Sequence, residues 1–174
     1  MPATAARLVG ISSVGHVAAG PTDVPWGETQ KDGVSLQLSL ARVDVRSGQG
    51  PLKLASHVTE AGVTMAIRML ESALQRLGYM LGLPSASFTG NLVATPTPSA
   101  EVLVIDGELG SEELQLYALG VGPVTTRRID AKRAVLTDPG SLAIADNAYM
   151  QPAVTFELLK PATGDFLKIT DAAS

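Results

Sequence analysis

The stretch "GELGSEE" sets three carboxylates, Glu108, Glu112 and Glu113, around one short turn. Paired carboxylates can share acid–base work when one holds a proton and the other does not. Here they flank a Gly-Ser step between two strand-like segments, "EVLVIDGEL" (101–109) and "ELQLYALGVG" (113–122), and a solvated hairpin tip is the simpler reading. The histidines, His16 and His57, fall in separate strand-like segments with no carboxylate at helical spacing, so neither reads as part of a zinc motif. Ser12 and Ser13 in "GISSVG" lack the Gly-x-Ser-x-Gly spacing that presents a nucleophile on a strained elbow. Neither a Lys-Ser/Thr phosphate loop nor a Gly-x-Gly-x-x-Gly step is present in the sequence. "RRIDAKR" gathers Arg127, Arg128, Lys132 and Arg133, which could touch phosphate, but it has no interleaved aromatics on which bases could stack. A solvated or subunit-contacting face is the better account. An acidic tip and a basic strand on one chain suit head-to-tail self-association, so Glu112, Glu113, Arg127, Arg128, Lys132 and Arg133 become candidate subunit contacts. No catalytic residue, cofactor site or metal ligand is expected.

The composition points the same way. A chain of 174 residues is sized for one domain and can bury a core without disulfides, which the absence of cysteine excludes in any case. The net charge of −4 argues against a surface that grips nucleic acid, which needs cations to displace counterions. Charged residues make up only 17%, against about 25% in ordinary soluble domains. With aromatics at 4%, such a surface suits a protein covered largely by copies of itself, although an Ala- and Gly-rich proteome would give the same figures. The start, "MPATAARLVGISSVG", reads as neither signal peptide nor membrane anchor, so a cytosolic product is expected.

The elements that must position these residues are mostly strands. Residues 6–18 are rich in β-branched side chains, and 34–46 alternate, with Leu36, Leu38 and Leu40 opposed to Ser35, Gln37 and Ser39. The alternation then slips, making Val43 and Val45 the apolar set, which marks a β-bulge near Leu40–Arg42. "SGQGP" (47–51) is a turn and 52–60 a weaker strand. Val63, Met65 and Ile67 alternate with Thr64, Ala66 and Arg68, and near Glu71 the period changes to helical. "SALQ" (72–75) is a capping box, Leu74, Leu77 and Leu81 share a helical face, and Gly82 stops a helix over about 72–81. That face must pack on a sheet, because so short a helix is marginal alone. Residues 124–138, 142–160 and 166–171 complete some eight strands. Long loops are expected at about 19–33, which holds Trp26, at 46–60 and at 84–100. The fold class is mainly β: two packed antiparallel sheets, sandwich or barrel, with one short flanking helix.

Three stretches in order resemble the major tail tube proteins of long-tailed bacteriophages. They are "WGETQKDGVSLQLS", "SGQGPLKLASHVTEAGVTMAIRMLESALQRLGYMLG" and "QPAVTFELLKPATGDFLKITD". The Gly27–Thr29 step, Gly50-Pro51, Leu70-Glu71 and Leu81-Gly82 carry the likeness, and Gln30-Lys31-Asp32 is an insert against the family's pattern. The resemblance implies a structural virion protein forming hexameric rings that stack into a helical tube, with strands completing a barrel across subunits. DNA would pass through the lumen during ejection without specific binding. The implied partners are further copies, a tape measure inside, a terminator and a baseplate or tip at the ends, and a sheath in contractile tails, with no membrane. The implied location is the virion tail, assembled in the host cytoplasm. On that reading Ser35, Gln37, Ser39, Thr64, Ala66 and Arg68 line the lumen, with Arg68 the residue a smooth conduit would not obviously choose. Leu36, Leu38 and Leu40 pack with Val63, Met65 and Ile67 against the helix and second sheet. Trp26, Gly48, Gln49, Gly50 and Pro51, in the long loops, join the candidate subunit and ring contacts.

Two alternatives stay open. The inner tube of a contractile, type VI-like or extracellular injection system would share the fold and differ in cargo. A monomeric β-sandwich binding or decoration module would want exposed aromatics, for which only Trp26 and Phe88 are available.

Overall fold

The structure, a computed structural model, describes residues 11–18, 22–27, 29–46, 53–70, 74–84, 87–91, 97, 99–105, 107, 109–121, 125–140 and 151–173. Among them are ten strands and one helix: β1 (Ile11–Ala18), β2 (Thr22–Pro25), β3 (Thr29–Arg46), β4 (Lys53–Met69), α1 (Leu74–Met80), β5 (Phe88–Asn91), β6 (Ser99–Leu103), β7 (Leu114–Val121), β8 (Thr125–Asp138), β9 (Ala153–Leu158) and β10 (Leu167–Ala173). They form two antiparallel sheets. The larger runs β2-β1-β7-β8-β9-β4-β3, with β10 added on β8, and the smaller is the ribbon β5-β6. The larger sheet does not close into a barrel within the chain.

Strand β8 is the corner of the fold. Its first half, Thr125 to Ala131, pairs with β10, and Ala134 to Asp138 pair with β9, while β7 follows the other edge. One strand thus serves two groups of neighbours. The sheet wraps a single core, in which the Trp26 ring lies 5.9 Å from Phe156 of β9.

The core face follows from alternation. Across β3, β4, β9 and β8 the row Leu36–Met65–Phe156–Leu136 points inward, beside Val34–Ile67–Val154. Met65, Ile67 and Phe156 are fully buried. Val14, Leu116, Ala118, Ala131 and Ala134 line the facing strands.

Helix α1 closes the core, with Leu77, Met80 and Leu81 buried and Leu74 half-buried. The leucine face is therefore turned into the molecule. It ends as the glycine predicted. Gly82 has φ +62°, its N–H donates to the Tyr79 carbonyl (3.0 Å), and Leu83 N–H donates to Gly78 (3.0 Å). These are the two bonds of a Schellman stop, and they need a left-handed residue that only glycine adopts cheaply. Ser72 of the expected capping box lies outside the described residues.

Several expectations are corrected. The predicted hairpin between 101–109 and 113–122 does not form: β6 pairs with β5, and β7 with β1 and β8. The Gly110-Ser111 step instead serves the end of α1. Gly110 N–H donates to Leu81 carbonyl oxygen (2.9 Å), and Glu112 N–H (3.1 Å) and Ser111 Oγ (3.2 Å) donate to Gly82. Helix-terminal carbonyls need donors, and that demand outweighs a local turn preference. The stretch 19–33 contains β2 and the start of β3, and 53–60 and 88–91 are also strand, so the long loops are shorter than expected. The insert Gln30-Lys31-Asp32 is absorbed as a bulge. Thr29 faces Met69 and Val34 faces Ile67, leaving four residues of β3 opposite Arg68 alone.

Candidate functional site

The side of β3, β4, β9 and β8 opposite the core is a polar sheet surface. In the ladder, Gln37 faces Thr64, Thr64 faces Glu157, and Glu157 faces Val135. The next row is Ser35–Ala66–Thr155–Asp138. Ser39 stands opposite Gly62 and donates from Oγ to its carbonyl (3.3 Å), and Arg68 stands opposite Ala153. All six residues read as a channel lining thus fall on one face, pointing away from the core. Sequence alternation was enough to place them on one face. It could not add Thr155, Glu157 and Asp138, because only strand pairing shows which distant strand lies alongside.

Among the described residues of these rows are two carboxylates, Glu157 and Asp138, and one cation, Arg68. Arg68 is exposed at the edge of a shallow cleft that it lines with Ala66, Asp138, Gly140 and Thr155. Such a surface offers neither the cation density that phosphates require nor aromatic platforms for bases.

The second feature is the far half of the β3–β4 hairpin. The strands stay paired to Arg46 and Lys53, well beyond the last core row. There the expected burial fails. Leu36 is half-buried, but Leu38 is 75% exposed and Leu40 56%, so neither packs against the helix or a second sheet. The reason is geometric: β3 is an edge strand, and no other element of the chain covers this end of it among the described residues. Val43 and Val58 are also more than half exposed. The bulge predicted from the phase slip is present, with its extra residue on the partner strand. Ala41 faces Glu60 and Arg42 faces Val58, which leaves Thr59 unpaired, donating from Oγ1 to the Ala41 carbonyl (3.3 Å). Gly48, Gln49, Gly50 and Pro51 lie outside the described residues.

The charged candidates are largely matched within the chain. Glu113 takes a two-pronged bond from Arg133, at 2.9 and 2.5 Å. Arg127 holds Asp171 (2.6 and 2.7 Å). Arg128 holds Asp23 with two nitrogens (2.6 and 2.9 Å) and Asp130 with a third (2.7 Å), while lying 5.1 Å over the Tyr117 ring. These hydrogen bonds hold the carboxyls of Glu113, Asp171 and Asp23 below their ordinary range and raise the arginines above theirs. The basic strand is therefore clasped by in-chain acids rather than left as a bare cationic stripe. Lys132 and Glu112 are exposed.

Trp26, expected at a subunit contact, is fully buried. Its backbone N–H donates to the Val14 carbonyl (2.9 Å), and its indole N–H donates to His16 Nδ1 (2.9 Å). His16 is itself buried, 4.5 Å from the Tyr79 ring. The loop-like composition around Trp26 hid this, since "GPTDVPWG" gives no periodicity from which burial could be read. Phe88 is half-buried and lines a cavity of about 130 Å³ with Tyr79, Leu83 and Leu103.

Among the described residues no group of three metal-ligating side chains comes together, and no helix is long and apolar enough to cross a membrane. No family model matches the chain, and no curated protein matches it in sequence.

Proposed function

We propose that the chain is a structural subunit of a bacteriophage tail tube, assembling into hexameric rings that stack around a DNA conduit, and that it performs no chemistry. The observation that carries the reading is the β3–β4 arm. It sets Leu38, Leu40, Val43 and Val58 on a paired ribbon where each is more than half exposed and no other described element covers them. Full burial of these four side chains against neighbours would contribute on the order of 5 kcal/mol per copy, before the cost of association.

Two further features support it. Among the described residues the strands β2, β3 and β10 each have one ladder partner, so their outer edges can continue into a neighbour's sheet. An edge used that way is no longer an aggregation template, and a head-to-tail interface closes into a ring. The uncharged-to-acidic face of Ser35, Gln37, Thr64, Ala66, Thr155 and Glu157 would then line the barrel, where a polymer of like charge slides without being held.

The test is negative-stain microscopy of the purified chain. Hollow tubes or six-fold rings are expected. A protein that stays monomeric at high concentration would overturn the reading.

A further inference from the structure

The edge strand β2 is fastened on both sides of the sheet. On the outer face Asp23, opposite Val17, is held by Arg128. On the inner face, immediately after the strand, the Trp26 indole donates to Nδ1 of His16, opposite Val24. The backbones of β1 and β2 are so close at Gly15 that a Cβ there would collide with the Val24 carbonyl oxygen. The inner bond therefore lies beneath a tight, well-fitted edge.

We propose that β1 and β2 form an acid-releasable edge, latched by the Trp26 indole donating to a His16 imidazole that must be bare at Nδ1. The logic is one of proton count. Indole nitrogen only donates, and a neutral imidazole accepts at one nitrogen while carrying its proton on the other. At 2.9 Å, a second proton on Nδ1 would set two N–H groups against each other, so the charged ring cannot keep the bond.

Among the described residues the surroundings offer that charge no compensation. The ring is bounded by Trp26, by Tyr79 of α1 and, across the ladder, by Leu116 of β7. Tyr79 is the titratable group among them. The charged groups of the adjacent strands, Asp23 on β2 and Arg128 and Asp130 on β8, sit on the opposite face and pair with one another. Burial accordingly pushes the His16 pKa below its ordinary 6.5. The sign follows: the contribution of neutral His16 is complete above pH 6.5 and is lost as pH falls through its lower folded value. Release would free the Trp26 segment and the inner side of β2, which keeps its ladder to β1 and the Arg128 clasp on Asp23.

Trp26 is the only tryptophan, so intrinsic fluorescence reads this site alone. Titrating the full chain from pH 8 to 4.5 should give a red-shifting transition with its midpoint below 6.5. His57→Gln should retain it and His16→Gln should abolish it. A flat profile, a midpoint at or above 6.5, or a transition that survives in His16→Gln would overturn the proposal. Should His16→Gln fail to fold, nitrogen-15 NMR of the unaltered protein decides: His16 protonated at Nε2 and bare at Nδ1 at pH 8 is required, and the opposite tautomer refutes the latch. The device belongs to the subunit and stands or falls independently of tube assembly.

Discussion

Leu38 and Val63 are directly paired across β3 and β4, yet Val63 is 7% exposed and Leu38 75%. The boundary between core and arm passes between these two side chains. Inside it, apolar residues stabilise the subunit; outside it, no described element covers them.

The contrast separates folding from assembly. Leu38→Ser with Leu40→Ser should change subunit stability by no more than about 0.5 kcal/mol, as for other exposed positions, while abolishing tubes. Met65→Ala, two residues along β4 and fully buried, should cost about 2–5 kcal/mol through the cavity it leaves. Urea denaturation of the dilute subunit and microscopy of the concentrated protein measure the two effects. If the double serine variant assembles normally, the arm is not the contact.

Deleting Gly48–Lys53 should leave a folded subunit that no longer polymerises. Of the removed residues the structure describes Lys53, which pairs with Arg46 at the end of the arm, away from the core rows. Circular dichroism tests the fold and sedimentation the assembly; normal tubes from the deletion would refute it.

A conduit lining should tolerate polar changes but not added cations. Thr64 and Glu157 are cross-strand partners on the outward face. Changing both to lysine should leave stability nearly unchanged and create salt-sensitive DNA retention that the unaltered protein lacks. Mobility-shift assays across a salt series check this, and strong retention by the unaltered protein would sink the lining assignment.

Acid should loosen the outer clasp of β2 at a lower pH than the inner latch. The Arg128 hydrogen bonds hold the Asp23 carboxyl below its ordinary 3.8. The unfolded chain therefore takes up that proton first, so the clasp's contribution is present above about pH 3.8 and fades as pH falls through the folded value. The contribution is small because both side chains are about a third exposed. Asp23→Asn should flatten this lowest limb of a stability–pH curve and leave the His16 limb in place.

Gly82→Ala should cost about 1–2 kcal/mol, since an L side chain must enter the left-handed region there. Its Cβ would also press on the Gly110 Cα at 3.0 Å, coupling the end of α1 to the segment leading into β7. Thermal unfolding gives the magnitude; an unchanged midpoint would contradict the helix stop described.

The sequence by itself determined the periodic parts. Alternation of Val63, Met65 and Ile67 with Thr64, Ala66 and Arg68 decided which side of β4 is core, because side chains two apart share a face whatever the strand pairs with. The slip after Leu40 located the level of a bulge but not its strand, since the extra residue is Thr59 of β4, and Leu77, Leu81 and Gly82 located a helix and its end. Tertiary structure alone decided what non-local contact controls. Leu38 and Leu40 follow the same alternation as Leu36, but burial depends on a covering neighbour, and their stretch of edge strand has none among the described residues. Trp26 lies in a loop-like composition yet sits at the centre of the core, because His16 is ten residues away in sequence and one hydrogen bond away in space. The acids and bases that looked available for neighbours, Glu113 with Arg133 and Asp23 with Arg128, found each other once β8 was laid against β7 and close to the β1–β2 edge. Local pattern fixes which face a residue takes; only the completed sheet fixes what that face meets.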